Sequence, residues 1–187
     1  MQIYITDCDT ARKTLARQKP PIDALLSIAT EAHGLNSFPE KELHLLCSDV
    51  TKDWQGHIAP TVDQVTQAIE FGKNLEGTLL AHCAGGQSRS TGFVLAILAS
   101  QDRTPVEAFD ALDAIVKGTF EAGLRDEPDD YNPNMRIVMH LDNLLNCEGA
   151  FIDEYCRRFI SFPLEDARTS FWMSVRDREC DEWTLPL

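Results

Sequence analysis

Short apolar runs alternate with longer segments of helical pattern over the first 146 residues of the chain. Four runs have the length and apolar density of strands: QIYI at 2–5, DALLSIA at 23–29, ELHLLCSDV at 42–50 and TLLAHC at 78–83. Runs of this kind, bounded by polar or turn-forming residues, are typical of strands in a sheet that is covered on both faces. We therefore expect four strands, the last three of them buried.

The segments between and after these runs repeat apolar residues at helical spacing. They predict five helices, over 10–18, 62–75, 88–101, 104–118 and 132–146. Capping residues stand at four of the predicted starts: Asp9, Thr61, Thr104 with Glu107 as a capping box, and Asn132 before a proline. Apolar strands that alternate with amphipathic helices predict an α/β fold, with a central, mostly parallel sheet of four or five strands flanked by helices.

The length of the chain fits one domain around one hydrophobic core. A chain of 187 residues buries enough surface to be stable as a single unit. Seven aromatic residues, spread over 151–183, need burial as well, so we expect this last segment to pack on the same core. The sequence therefore predicts a principal domain over 1–147 and a C-terminal extension over 148–187.

The net charge and the cysteine content limit the classes of partner, ligand and cellular location that we expect for the chain. The 17 basic and 30 acidic side chains give a formal charge of −13, which disfavours nucleic acid and anionic membranes as partners. The acidic N-terminus does not resemble a signal peptide, and the six cysteines form no CxxC pair. We expect free thiols in a cytoplasmic protein, with no metal ion and no cofactor. The oligomeric state is left open.

The segment HCAGGQSRS at 82–90 stands between the fourth predicted strand and a predicted helix. Ligands of α/β sheets bind at such junctions, where helix N-termini face the crevice. Gly85 and Gly86 allow a tight turn and a close approach of the backbone to a ligand. If the amides of residues 84–89 converge, they form a cradle for a tetrahedral oxyanion. The planar guanidinium group of Arg89 can bind two oxygens of this oxyanion in a bidentate manner.

The same surroundings favour the ionised form of the Cys83 thiol, because a helix N-terminus and nearby cations stabilise a thiolate. Cys83 is therefore the predicted nucleophile at the base of the cradle. Ser90 is predicted to donate a hydrogen bond to its sulfur and to assist its departure. The predicted phosphate-binding residues are Ala84, Gly85, Gly86, Gln87, Ser88 and Arg89.

Taken together, His82, Cys83, Gly86, Arg89 and Ser90 resemble the signature HCxxGxxR[ST] of the cysteine-based protein tyrosine phosphatases. The resemblance covers about residues 20–146 and is closest to the compact dual-specificity and small bacterial branches. It implies a phosphatase domain with the phosphate-binding loop between a strand and a helix. His82 is expected to support this loop rather than to take part in the chemistry.

A general acid must protonate the leaving oxygen when phosphocysteine forms. Asp49, Asp53 and His57 all lie in or just after the third predicted strand. The resemblance favours Asp49, because the dual-specificity branch places its acid where this strand ends, and Asp53 is the alternative. The chain lacks the WPD triplet of the larger tyrosine phosphatases, so the sequence does not indicate how deep the substrate pocket is.

The sequence thus predicts a protein phosphatase acting on phosphotyrosine, with phosphoserine and phosphothreonine left open as substrates. Two alternatives remain. One is a phospho-binding module with weak or no turnover. The other is a phosphatase for a non-protein phosphate, either an RNA 5′-triphosphate or a phosphoinositide. The uncharged side chains of the loop rim favour a substrate with a single phosphate. The expected partner is a phosphorylated protein.

Overall fold

The computed structural model describes residues 1–30, 39–53, 55–73, 75–128, 130–160, 166 and 169. The described strands form one parallel sheet in the order β1-β4-β2-β3. Their bounds are β1 Gln2–Thr6, β2 Ala24–Ala29, β3 Lys41–Leu46 and β4 Thr78–His82. The predicted α/β class with a mostly parallel sheet of four or five strands is confirmed. Most of the predicted C-terminal extension lies outside the described residues.

Six helices flank the sheet within the described ranges. They are α1 Cys8–Arg17, α2 Val62–Lys73, α3 Arg89–Ala99, α4 Pro105–Glu121, α5 Met135–Leu144 and α6 Ala150–Phe159. Side chains alternate between the two faces of each strand, so one face packs against α1 through residues such as Tyr4 and Leu80. The opposite face packs against α2, α3 and α4, and α5 and α6 pack on these helices in the same larger core. Every residue of α3 is buried.

Strand β3 differs from its prediction. The apolar run at 42–50 predicts a buried strand, but β3 ends at Leu46 and lies at the edge of the sheet, where most of its side chains are exposed. An edge strand has a neighbour on one side only, so fewer of its residues are covered. Asp49 consequently stands in the loop after the strand, three positions beyond its last residue.

Two helix caps also differ from their predictions, while two others are confirmed. Helix α1 is capped by Asp7, whose Oδ1 accepts from the backbone N–H groups of Asp9 and Thr10 at 2.8 and 2.9 Å. Helix α5 is capped by Asn134, not by Asn132. The Thr104–Glu107 capping box and the Thr61 cap form as predicted. Both errors are shifts of two residues, because several polar residues at these helix starts are chemically able to cap.

Helix α6 lies in the segment predicted as an extension, where no helix or strand is predicted. Phe151 and Tyr155 of α6 are buried in the same core as α3, α4 and α5. The boundary between residues 147 and 148 stays a prediction. No helix in the described ranges has the length and apolar character needed to cross a membrane.

Candidate active site

The carboxyl ends of all four strands lie at one edge of the sheet, because the strands are parallel. Three loops meet there: the start of α1 after β1, the loop after β3, and residues 83–88 between β4 and α3. We call residues 83–88 the phosphate loop, after the ligand that the sequence predicts for them. His82 ends β4 and is fully buried, with Thr6 and Ser27 as its neighbours on the adjoining strands. Cys83 follows and is 2% exposed.

Four carbonyl groups of the phosphate loop accept hydrogen bonds from residues outside it. Donors from α1 and from the segment between α4 and α5 reach all four, and Thr91 Oγ1 of α3 also donates to Gln87 O at 2.6 Å and to Ser88 O at 2.9 Å. The pairs are Cys8 N to Ala84 O at 3.3 Å, Arg125 Nη1 to Gly86 O at 2.7 Å, Asn132 N to Gln87 O at 3.1 Å, and Asn134 N to Ser88 O at 3.1 Å. These bonds draw the four carbonyl groups to the outer side of the loop.

The direction of the carbonyls fixes the direction of the amides. In a planar trans peptide the N–H group points away from the carbonyl that it follows. The N–H groups of residues 85, 87, 88 and 89 therefore point to the inner side of the loop. Converging amides at the start of a helix form an anion-binding concavity, and the helix dipole adds positive potential. This arrangement can bind the oxygens of a phosphoryl group.

Gly86 allows the phosphate loop to pass close to the end of β1. Its φ is +70°, and a Cβ built on it would lie 2.6 Å from the backbone carbonyl carbon of Thr6. Any other residue here would meet both a strained backbone conformation and a clash with backbone atoms. A Cβ at Gly85, by contrast, would make only an ordinary van der Waals contact, 3.5 Å from Gln87 Oε1.

Gly86→Ala is therefore expected to lower the free energy of unfolding by about 2 kcal/mol or more, since strain and backbone contact add. Gly85→Ala is the matched control, for which we expect a change of no more than about 0.5 kcal/mol. Urea unfolding of the two variants measures the difference. Equal destabilisation by both substitutions would show that the close approach to β1 is not what restricts position 86.

Arg89 is anchored so that one edge of its guanidinium is left for a ligand. The residue is 5% exposed, and its Nη1 donates to the Cys47 carbonyl at 2.8 Å. Its Nε is buried and has no hydrogen-bond partner in the part of the chain that the structure describes. A buried donor without a partner is unfavourable, and two oxygens of a bound phosphoryl group would satisfy this edge in a bidentate manner.

Cys83 and Ser90 lie in contact, with 3.3 Å between Sγ and Oγ. If the thiol is ionised, the hydroxyl donates to the sulfur, as predicted for a group that assists its departure. The neighbouring Cys47 differs, since burial raises the pKa of its thiol to about 12. Cys47 therefore stays protonated at neutral pH, and it contributes to the site through its backbone carbonyl.

The three candidate acids occupy different surroundings. Asp49 is exposed, and its Oδ1 accepts from Ser88 Oγ of the phosphate loop at 2.7 Å. Asp53 Oδ1 accepts from the backbone N–H of Ala59 at 2.7 Å, a bond within its own loop. His57 Nδ1 lies 3.2 Å from Ser48 Oγ. The contact between the Asp49 carboxylate and the phosphate loop is the geometric reason to favour it.

The segment between α4 and α5 contributes residues that are not among the predicted site residues. Arg125 binds the Gly86 carbonyl, Asp130 accepts from the Gln87 side chain, and Asn134 contacts Asp49. Acidic composition alone predicts a solvated connector here, which is why these contacts are missed. A usable signal exists in the Asn-Pro-Asn triplet before the last predicted helix, because it offers a second capping residue.

Within the described ranges, no group of three or more His, Cys, Asp or Glu residues is arranged to hold a metal ion. The roles of the predicted site residues stay predictions, since they concern a reaction. The structure does bring Cys83, Arg89, Ser90 and Asp49 to the same end of the sheet, as the contacts above describe.

Comparison with known proteins gives structural matches only: no family model and no curated protein matches the sequence. Human DUSP28 matches with a TM-score of 0.55 and 13% identity, over 78% of this chain and 88% of its own. OH1 from the Orf virus, a tyrosine phosphatase with triple substrate specificity, matches with a TM-score of 0.52 and 18% identity, over 78% and 83%. PTPMT1, solved in complex with PI(5)P, matches with a TM-score of 0.50 and 15% identity, over 78% and 90%.

Identities this low carry information about architecture alone. The parallel four-stranded sheet and the helices that flank it agree with the predicted fold class. At that level the chain is similar to dual-specificity phosphatases of the cysteine-based protein tyrosine phosphatase superfamily, with which it shares its α/β fold.

Proposed function

We propose that the chain is a cysteine-dependent phosphatase that hydrolyses phosphate monoesters, with phosphotyrosine in proteins as its substrate. One observation carries the proposal. The carbonyl groups of residues 84, 86, 87 and 88 are all bonded from outside the phosphate loop, so the amides that follow them face the inner side of a loop that begins at Cys83. Such a site binds a phosphoryl dianion next to a sulfur nucleophile.

In the first step the Cys83 thiolate attacks phosphorus opposite the leaving oxygen. A sulfur–phosphorus bond forms while the phosphorus–oxygen bond to the substrate breaks, and the protonated Asp49 gives its proton to the departing oxygen. The loop amides and Arg89 bind the three equatorial oxygens, where negative charge is concentrated in the transition state.

In the second step Asp49, now ionised, takes a proton from a water molecule whose oxygen attacks the phosphocysteine. The sulfur–phosphorus bond breaks, and inorganic phosphate leaves. Ser90 Oγ, 3.3 Å from the sulfur, donates a hydrogen bond to the thiolate that forms. Asp49 thus ends the cycle protonated, as it began, and the reaction consumes one water for each phosphate released.

The charge around the loop favours a substrate with a single phosphate. Arg125 is the cation that reaches the phosphate loop from the α4–α5 segment, and its three nitrogen atoms are all engaged with backbone carbonyls. These belong to Glu127 at 2.8 Å, Gly86 at 2.7 Å, and Asp130. A second phosphate would therefore compete with bonds that hold the loop, while Asp49 and Asp130 would repel it.

Hydrolysis of p-nitrophenyl phosphate and of a phosphotyrosine peptide by the full chain, with EDTA present, tests the proposal. We expect turnover of both and inhibition by vanadate, which imitates the five-coordinate phosphorus of the transition state. A chain that binds phosphate without hydrolysing either compound would be a phospho-binding module. A higher kcat/KM for a phosphoinositide or an RNA 5′-triphosphate than for any phosphopeptide would assign a non-protein substrate.

A further inference from the structure

Asn134 joins three parts of the candidate site through a single residue. Its Oδ1 accepts from the backbone N–H of Arg136 at 3.0 Å and so caps α5. Its Nδ2 donates to Asp49 Oδ1 at 2.9 Å, and its backbone N–H donates to Ser88 O at 3.1 Å. The residue is 5% exposed, so water contributes little to these bonds.

The cap on α5 fixes which end of the Asn134 amide faces Asp49. The first N–H groups of a helix need an acceptor, and in an Asn side chain only the oxygen can serve. If the amide were flipped, its NH2 group would face the N–H of Arg136, and the cap would be lost. The NH2 group is therefore held toward the Asp49 carboxylate by a requirement of the helix itself.

Two donors then converge on one oxygen of Asp49. Ser88 Oγ and Asn134 Nδ2 lie 2.7 and 2.9 Å from Oδ1. The NH2 group of Asn134 can only donate, so Oδ1 remains an acceptor when the carboxyl group is protonated, and with Ser88 Oγ also donating to Oδ1 the proton is favoured on Oδ2. A proton confined to one oxygen of an oriented carboxyl group can be delivered to a leaving group in one direction.

We propose that Asn134 is a positioning residue for Asp49, which it holds so that Oδ2 carries and delivers the proton. This inference rests on the proposed function, in which Asp49 is the general acid. Asp49 is exposed and belongs to a loop, so bonds from its neighbours determine its orientation. Asn134 supplies one such bond from the buried start of a helix, a more rigid base than the loop itself.

The rival explanation is that Asn134 only caps α5, and Asn134→Ser separates the two roles. Serine is as good a cap as asparagine, so α5 keeps its acceptor, but the NH2 donor to Asp49 is lost. Asn134→Ala removes both the cap and the donor and measures the cost of capping. We expect an unchanged thermal midpoint for Asn134→Ser and a lower one for Asn134→Ala.

Kinetics with two substrates then test the positioning role. Phenyl phosphate has a basic leaving group that depends on an acid, whereas p-nitrophenolate leaves with much less help. We expect Asn134→Ser to lower kcat for phenyl phosphate about tenfold, the effect of one hydrogen bond, and to lower kcat for p-nitrophenyl phosphate by a smaller factor. In an Asp49→Asn background, Asn134→Ser should cause no further loss with phenyl phosphate.

Each other outcome overturns the inference, and the outcomes are distinguishable. Equal losses for the two substrates, or a tenfold loss that persists in the Asp49→Asn background, would mean that Asn134 acts through the loop or the fold. An active wild type in which Asp49→Asn has no effect would place the acid elsewhere. A wild type that hydrolyses neither compound would refute the proposed function, and this role with it.

Discussion

Cys83→Ser is expected to abolish turnover while the affinity for inorganic phosphate is retained. A serine hydroxyl is far less acidic than a thiol and stays protonated at neutral pH, so the variant has no anionic nucleophile in the loop. The phosphate loop itself is unchanged, because its four bonded carbonyls and Arg89 do not depend on the sulfur. We expect kcat for p-nitrophenyl phosphate to fall at least about 10⁴-fold. Titration calorimetry measures phosphate binding by the same variant.

Cys47→Ala is the matched control for this experiment. Cys47 is buried beside the site, and burial raises the pKa of its thiol to about 12. Alanine removes that thiol but keeps the backbone carbonyl that anchors Arg89. Activity within a few-fold of the wild type is therefore expected. Normal turnover by Cys83→Ser, or an inactive Cys47→Ala beside an active Cys83→Ser, would contradict the proposed nucleophile.

Asp49→Asn is expected to slow hydrolysis in proportion to the basicity of the leaving group. The amide oxygen of asparagine can still accept from Ser88 and Asn134, so the local structure should persist while the proton is lost. We expect a fall of about 100-fold in kcat for phenyl phosphate and a clearly smaller one for p-nitrophenyl phosphate.

Asp53→Asn provides the comparison, because it changes a carboxylate in the same loop. Its side-chain oxygen can keep the bond to the Ala59 N–H, which Asp53 Oδ1 accepts at 2.7 Å. We expect this variant to show the wild-type dependence on the leaving group. The reverse pattern, with Asp53→Asn sensitive to the leaving group and Asp49→Asn insensitive, would assign the acid to Asp53.

Much of the fold could be predicted from local patterns. The apolar runs place all four described strands within a few residues, and the Thr104–Glu107 pair marks the start of α4 correctly. The position of β3 at the sheet edge could not be predicted, since its apolar run does not reveal how many neighbours it has. Helix α6 could not be predicted either, because the acceptor for its first N–H groups lies in another helix. Its first N–H groups are capped by Asp142 of α5, which accepts from Gly149 and Phe151 at 2.7 and 2.8 Å.

The sequence by itself determined the α/β class and the order of side chains in the phosphate loop, because strand runs, helix periodicity and the spacing from His82 to Ser90 are local properties. Only the tertiary structure decided which way the loop amides point and which side chains hold Asp49. Those features depend on Cys8, Arg125, Asn132 and Asn134, which are distant in the chain and meet the loop at the carboxyl edge of the sheet. A hydrogen bond between distant residues leaves no periodic pattern, so its partners become visible only when the chain is folded.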